Sequence, residues 1–160
     1  MSVSFERSHE DAVNCSVNRT LGVIGDRWTL LILREVFYGV TRFERIHEVL
    51  RCPRDVLSAR LNRLVTDGVL ERVPYQDPGL RARTAYHLTG RGRELLPILI
   101  ALLQWGDDNL ADKGPPIFAE HAACGTSLRV ILECEHGHRD ITSEQMRLRP
   151  GPGMARSGRD

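Results

Sequence analysis

Apolar residues recur at helical spacing along most of the first 110 positions, with one change of period near residue 70. Val17, Leu21 and Ile24 share a face of one helix, which breaks at Gly25-Asp26. Trp28, Leu31, Ile32 and Val36 repeat the pattern, and Gly39 can end that second helix. Thr41 can cap the next short helix, RFERIHEVL, with Glu44 three residues on as in a capping box. Its apolar face is Phe43, Ile46 and Leu50, supported by Val49. In RCPRDVLSARLNRLVTDG, Pro53 suits a first helical turn, where its missing N–H is no loss. Leu57, Leu61, Leu64 and Val65 then form a narrow inward stripe, and Gly68 supplies the stop. VLERVPYQD and RTAYHLT predict two strands joined through Pro78-Gly79. From Gly92, RELLPILIALLQWGDDNLAD predicts a long helix; Pro97 is either absorbed by its first turn or kinks it.

That last helix is apolar over much of its circumference, more than a small domain can cover. Leu95, Leu99, Leu102, Leu103 and Trp105 are the expected dimer interface; the alternative is a helix buried in its own monomer. Beyond it, residues 113–117 form a linker, 118–148 a small Cys/His-bearing appendage, and 149–160 a tail expected to be disordered. Residues 1–112 are the main domain. The fold class is therefore mainly α with a small β-hairpin, an α+β arrangement, and no repeat of 20–50 residues is present.

At 160 residues and 18.1 kDa the chain suits one domain with an appendage. Its 22 basic and 21 acidic groups become informative only when divided. Residues 1–41 carry net −1, residues 42–93 net +5, and residues 94–160 net −3. A basic middle between acidic ends can offer a polyanion-binding face in a near-neutral protein. Arginine supplies 21 of the 22 cations, which suits bidentate phosphate or guanine contact but also fits a bias of genomic base composition. The N-terminus lacks a signal-peptide pattern, and no apolar run approaches the ~20 residues that span a bilayer. The chain is expected to be cytoplasmic, without a membrane partner.

Two short helices at a tight turn, followed by a hairpin with arginines in its loop, predict a winged helix-turn-helix. The inward leucines hold the second helix so that its other face can enter a major groove. On this reading Arg54, Asp55, Ser58, Arg60, Asn62 and Arg63 face double-stranded DNA, Arg42 adjoins them, and Arg81 and Arg83 sit on the wing. Asp55 would accept from a cytosine amine or simply stabilise the helix start. Two alternatives remain: an ordinary solvated arginine surface, and a winged helix that docks a protein.

Three stretches carry a resemblance: CSVNRTLGVIGDRWTLLILREVFYGVTRFERI, DVLSARLNRLVTDGVLERVPY and AYHLTGRGRELLPILIALLQWGDDNL. Residues 15 to about 110 resemble the HxlR family of bacterial winged-helix transcriptional regulators, within the MarR-like superfamily. The resemblance implies a homodimer joined through N- and C-terminal helices, acting on a palindromic or near-palindromic operator, with an inducer that is not identified. It also implies that Arg54 to Arg63 is the recognition helix. One departure stands in the preceding turn, where Arg51-Cys52-Pro53 replaces the family's Gly-Ile-Ser. Losing that serine cap should weaken the helix start by about 1 kcal/mol, partly offset by proline's preset φ.

Cys15 sits at the family's early cysteine, where some relatives respond to thiol-reactive chemicals; the resemblance therefore implies redox or electrophile sensing there. Position at a helix N-terminus would also favour a thiolate. The alternative for Cys15 is a small buried apolar residue, and Cys52 is the weaker candidate. In the appendage, His121 and Cys124 precede LRVILE, and Cys134 and His138 follow it with His136 between. Four such ligands could hold zinc; otherwise they belong to a small hairpin with exposed histidines. No other cofactor is expected. No phosphate loop, His-Glu-x-x-His or Gly-x-Ser-x-Gly occurs, so the residues do not read as an enzyme's. A metal or redox sensor without direct DNA binding is the remaining class of function.

Overall fold

The computed structural model describes residues 8–154, so the first seven residues and half of the expected tail lie outside the description. In chain order the elements are α1 (His9–Val13), α2 (Ser16–Ile24), α3 (Arg27–Phe37), α4 (Phe43–Leu50), α5 (Arg54–Thr66), β1 (Leu70–Tyr75), β2 (Arg83–Leu88), α6 (Gly90–Arg93) and α7 (Leu96–Leu110). Two compact units divide the chain: residues 23–129, and residues 1–22 with 130–160. The division falls at 129–130, past the expected linker at 113–117, so the predicted appendage is shared between the units. Within the larger unit Ile117, Phe118 and Leu128 line a cleft of about 230 Å³ with Ile100 and Leu103 of α7. Apolar residues just after the linker thus keep company with the terminal helix.

In the larger unit, Ile32, Leu33 and Val36 of α3 meet Ile46 of α4 and Leu57, Leu61 and Leu64 of α5 in one buried cluster. Full burial of each of these leucines contributes about 1.5–3 kcal/mol. The stripe read from sequence is therefore the inward face of α5, with Val65 packed at its edge. Asp26 explains the break before α3: its Oδ1 accepts from the backbone N–H groups of Trp28 and Thr29 at 3.0 and 3.1 Å. Its Oδ2 accepts from Arg60 Nη2 at 3.1 Å, joining the start of α3 to the middle of α5.

Removing that one carboxylate should therefore act on two helices. Asp26→Ala is expected to cost about 1–2 kcal/mol, the usual loss for an N-cap. Asp26→Asn keeps a capping oxygen and should lose less. Urea titrations read this as a lower midpoint at unchanged slope, in the order wild type, Asn, Ala.

The start of α4 corrects one expectation. Thr41 is not its cap; Arg42 occupies that position with no side-chain hydrogen bond, and Glu44 is engaged elsewhere. Thr41 instead lends its carbonyl to the hairpin, accepting from the Tyr86 N–H at 2.8 Å, and Arg42 bridges Ala85. Tertiary pairing with the wing outcompetes the local capping box. α5 begins after Pro53, again without a side-chain cap, and Arg51 takes a left-handed φ of 49° in the turn before it.

β1 and β2 pair antiparallel from Leu70↔Leu88 to Tyr75↔Arg83. Leu70 and Ala85 are buried while most of the strand residues are exposed, as expected for a hairpin covered on one face at its base. Thr89 closes that base: its hydroxyl donates to Gly68 O at 2.6 Å and its N–H to Val69 O at 3.1 Å. The long helix expected from Gly92 is two helices. α6 ends at Arg93, and α7 starts at Leu96 with Pro97 in its first turn, so proline is absorbed rather than kinking a continuous rod.

In the smaller unit, Ser8 and Asp11 form a reciprocal capping box that starts α1, a helix the hydrophobic pattern does not announce. Asn14 donates to Gly153 O at 2.6 Å, tying the two ends of this unit together. The strand-like LRVILE forms no strand; its Leu128 N–H donates to Ala119 O at 2.7 Å within the larger unit, and its Leu132 O accepts from Ile141 N–H at 3.2 Å within the smaller.

Candidate nucleic-acid interface

Burial of Leu57, Leu61 and Leu64 leaves Arg54, Asp55, Ser58, Asn62 and Arg63 exposed on the other side of α5. Five of the six α5 residues expected to face DNA are thus displayed together. Arg60 is the sixth and differs: its side chain is only about one-third exposed and reaches Asp26. A helical wheel puts Arg60 on the flank, but the Asp26 carboxylate on α3 draws it inward as a brace.

The exposed arginines are held by neighbours. Arg54 Nη1 and Nη2 donate to the two carboxylate oxygens of Glu44 at 2.9 and 2.6 Å, and the guanidinium lies 5.1 Å from the Phe43 ring centre. The hydrogen bond from Arg54 keeps the Glu44 carboxyl below the usual carboxylate range, and Glu44 in turn raises Arg54. Arg42 repeats the arrangement. Its Nη1 and Nη2 each donate to Asp77 at 3.1 Å, and Tyr75 stacks 4.3 Å away. Arg63 approaches Asp67 one turn on, at 3.6 Å. Asn62 Oδ1 accepts from Arg72 Nη2 at 2.6 Å, which brings a strand arginine to the recognition face.

Arg81 and Arg83 are exposed on the wing. Between α4 and the hairpin lies an open cleft of about 510 Å³ lined by Phe43, Glu44, Tyr75, Arg83, Thr84 and Tyr86. Sequence reading missed Glu44, Arg72 and Asp77 as members of this face. The only available signal was the proximity of acidic residues in a basic region, which cannot say which arginine each one meets.

Residues expected to dimerise diverge. Leu95 and Leu99 pack against the buried cluster of their own unit, and Leu103 lines the cleft with Phe118. Leu102 and Trp105 stand out at 50% and 60% exposure, with Leu96, Ile98 and Leu110 also uncovered. An α-helix this apolar serves the core with one side and offers another.

None of the four cysteines is in a disulfide. Cys15 is half-buried immediately before α2, as the sequence placed it. Cys52 is fully buried in the turn between α4 and α5, and burial pushes its thiol up, which makes it a poor nucleophile. His121 Nδ1 lies 3.2 Å from Cys124 Sγ, and Cys134 Sγ lies 3.2 Å from His138 Nδ1. Hydrogen bonds from Thr126 hold the exposed Cys124 thiol below its ordinary value. Each pair offers two ligands. Among the described residues no group of three or more His, Cys, Asp or Glu is gathered as a metal ion would require.

Three packed helices, the last presenting an arginine-bearing face beside a two-stranded hairpin, define a winged helix-turn-helix module. The model of the HxlR-like helix-turn-helix family matches residues 23–114, and the chain belongs to that family. An HTH-type transcriptional regulator of Mycobacterium tuberculosis is 46% identical over 141 residues, covering 87% of each chain. The crystal structure of PA1607, described as a candidate transcription factor, superposes with a TM-score of 0.77 at 32% identity, over 90% of this chain and all of that one. The redox regulator HypR in its reduced form gives a TM-score of 0.54 at 29% identity, over 59% of this chain and 93% of its own. The protein is accordingly a transcriptional regulator of the DNA-binding, helix-turn-helix type and not an enzyme. Among the described residues no helix is long and apolar enough to cross a membrane.

Proposed function

We propose that this regulator binds a palindromic or near-palindromic operator as a homodimer, each protomer placing α5 in a major groove and its wing along the backbone. The observation that carries this reading is the α5 face, where Arg54, Ser58, Asn62 and Arg63 stand exposed while Leu57, Leu61 and Leu64 lock the helix from behind. A second protomer would cover Leu102 and Trp105 of α7, whose exposure is costly in an isolated chain. Occupancy would respond to an inducer, with Cys15 the favoured site for a thiol-reactive one. Its place before a helix and the redox regulation of HypR support that choice.

Light scattering and fluorescence anisotropy with duplexes selected from genomic fragments test this directly. The mass should be that of a dimer, and two half-sites should lie one helical turn apart, about 10–10.5 bp, or a multiple of it. Engagement of Arg42, Arg54, Arg63, Arg81 and Arg83 from both protomers predicts a log–log salt slope of roughly −5 to −9. Repeating the titration after a thiol oxidant, on wild type and Cys15→Ser, reads the inducer. A monomer, or affinity indifferent to salt, would overturn the proposal; equal responses of the two proteins to oxidant would remove Cys15 from it.

A further inference from the structure

The two best-placed arginines of this face share one arrangement. Arg54 and Arg42 each have the end of the guanidinium closed by a carboxylate through two hydrogen bonds, and one face covered by an aromatic ring. In neither case is the carboxylate a sequence neighbour. Glu44 lies ten residues from Arg54 across the turn of the helix-turn-helix, and Asp77 lies 35 residues from Arg42 in the wing loop. Glu44 also lines the cleft that runs between α4 and the hairpin, with Arg83 on its wall.

We propose that Glu44 and Asp77 occupy the phosphate seats of Arg54 and Arg42, so that DNA binds by displacing them. The inference rests on the reading that this face meets DNA. A phosphodiester presents two anionic oxygens to a guanidinium fork much as a carboxylate does. All four charged side chains are substantially exposed, between 39% and 57%, which is the regime where an ion pair is weak and exchange inexpensive. Phe43 and Tyr75 keep the guanidinium groups in place through the exchange by cation–π contact. Once displaced, each carboxylate faces the phosphate that replaced it, and that repulsion is a fixed cost on every duplex. Sites that also satisfy the base-reading residues of α5 overcome it; unrelated sequence does not. The carboxylates therefore weaken every duplex by a similar factor and raise the affinity that a site must supply to stay occupied, so that at a fixed protein concentration the weak, unrelated sites empty first.

The test is the affinity of Glu44→Gln, Asp77→Asn and the double variant for a mixed-sequence 30-bp duplex, by anisotropy across a salt series. Each single change should tighten binding by roughly two- to fivefold and the double by about tenfold, the scale of exposed ion pairs, with the gain largest at low salt because the repulsion removed is screened. Glu71→Gln, on the exposed face of β1, neutralises a carboxylate that holds neither arginine and should move affinity much less. Tightening by Glu71→Gln equal to that by Glu44→Gln would reduce the effect to overall charge and overturn the inference. So would weaker or unaltered binding by Glu44→Gln and Asp77→Asn, the result expected if the carboxylates merely position their arginines. Should Arg54→Ala weaken binding while neither carboxylate variant tightens it, this inference alone fails. If no form of the protein binds the duplex even at 50 mM salt, the DNA-contact reading fails and takes the inference with it.

Discussion

Arg54→Ala is expected to weaken operator binding by about 10- to 100-fold, the ~1–3 kcal/mol carried by one bidentate arginine contact. Three features concentrate so large an effect on one exposed residue. Arg54 is the first residue of α5, the end from which recognition helices reach base edges. Its guanidinium is already stacked on Phe43, so less side-chain entropy is lost on contact. And α5 is held by three fully buried leucines, so the loss cannot be recovered by tilting the helix. The salt series separates two roles. If Arg54 contacts phosphate, the variant's slope is shallower by about 1; if it reads guanine, the slope is kept and sequence preference relaxes at one position. Arg63→Ala should weaken binding in the same direction. Wild-type affinity in both variants would remove α5 from the interface. Arg60→Ala, by contrast, should show itself in stability more than in affinity, because its guanidinium is spent on Asp26.

The second large effect concerns folding. Gly92→Ala is expected to destabilise the protein by about 2–3 kcal/mol, lowering the melting temperature by roughly 5–10 °C. A Cβ at Gly92 would lie 2.2 Å from the Val69 carbonyl oxygen and 3.1 Å from the Leu88 side chain. The obstacle is backbone and cannot rotate away. Thr89, which caps α6 by accepting from Gly92 N–H, also binds Gly68 and Val69, so the clash pushes α6 off the base of the hairpin. Gly106→Ala makes the converse case: within α7 nothing lies within 4 Å of its new Cβ, so the change should stabilise by up to ~1 kcal/mol. Differential scanning calorimetry of the two variants would decide this. A Gly92→Ala melt within one degree of wild type would show that the close approach to Val69 is not tight.

Much of the architecture is legible in the chain because its causes are local. The three-residue and four-residue spacing of Leu57, Leu61 and Leu64 leaves one side to bury, and the structure buries that side. Gly39 and Gly68 stand where helices must stop, at φ of +86° and +68°. Pro78-Gly79 turns the hairpin as expected, with Gly79 at φ +76°. Errors cluster where a residue had a distant competitor for its side chain or backbone. Thr41 could cap α4 locally, yet its carbonyl pairs with Tyr86 of the wing. LRVILE has strand-forming composition, but it meets only single backbone hydrogen bonds, at Leu128 and Leu132, rather than a partner strand, and no strand forms.

The candidate interface divides along the same line. Which residues of α5 are outward followed from helical periodicity alone, and so did the cationic character of the middle of the chain. Periodicity is a property of consecutive residues, and it needs no knowledge of what packs behind them. Which arginines remain available was decided by tertiary structure: Asp26 takes Arg60, Glu44 takes Arg54, Asp77 takes Arg42, and Arg72 arrives at Asn62 from the neighbouring strand. Those pairings join residues 10 to 35 positions apart. An ion pair depends on separation in space, which falls off the sequence record as soon as the chain turns back on itself.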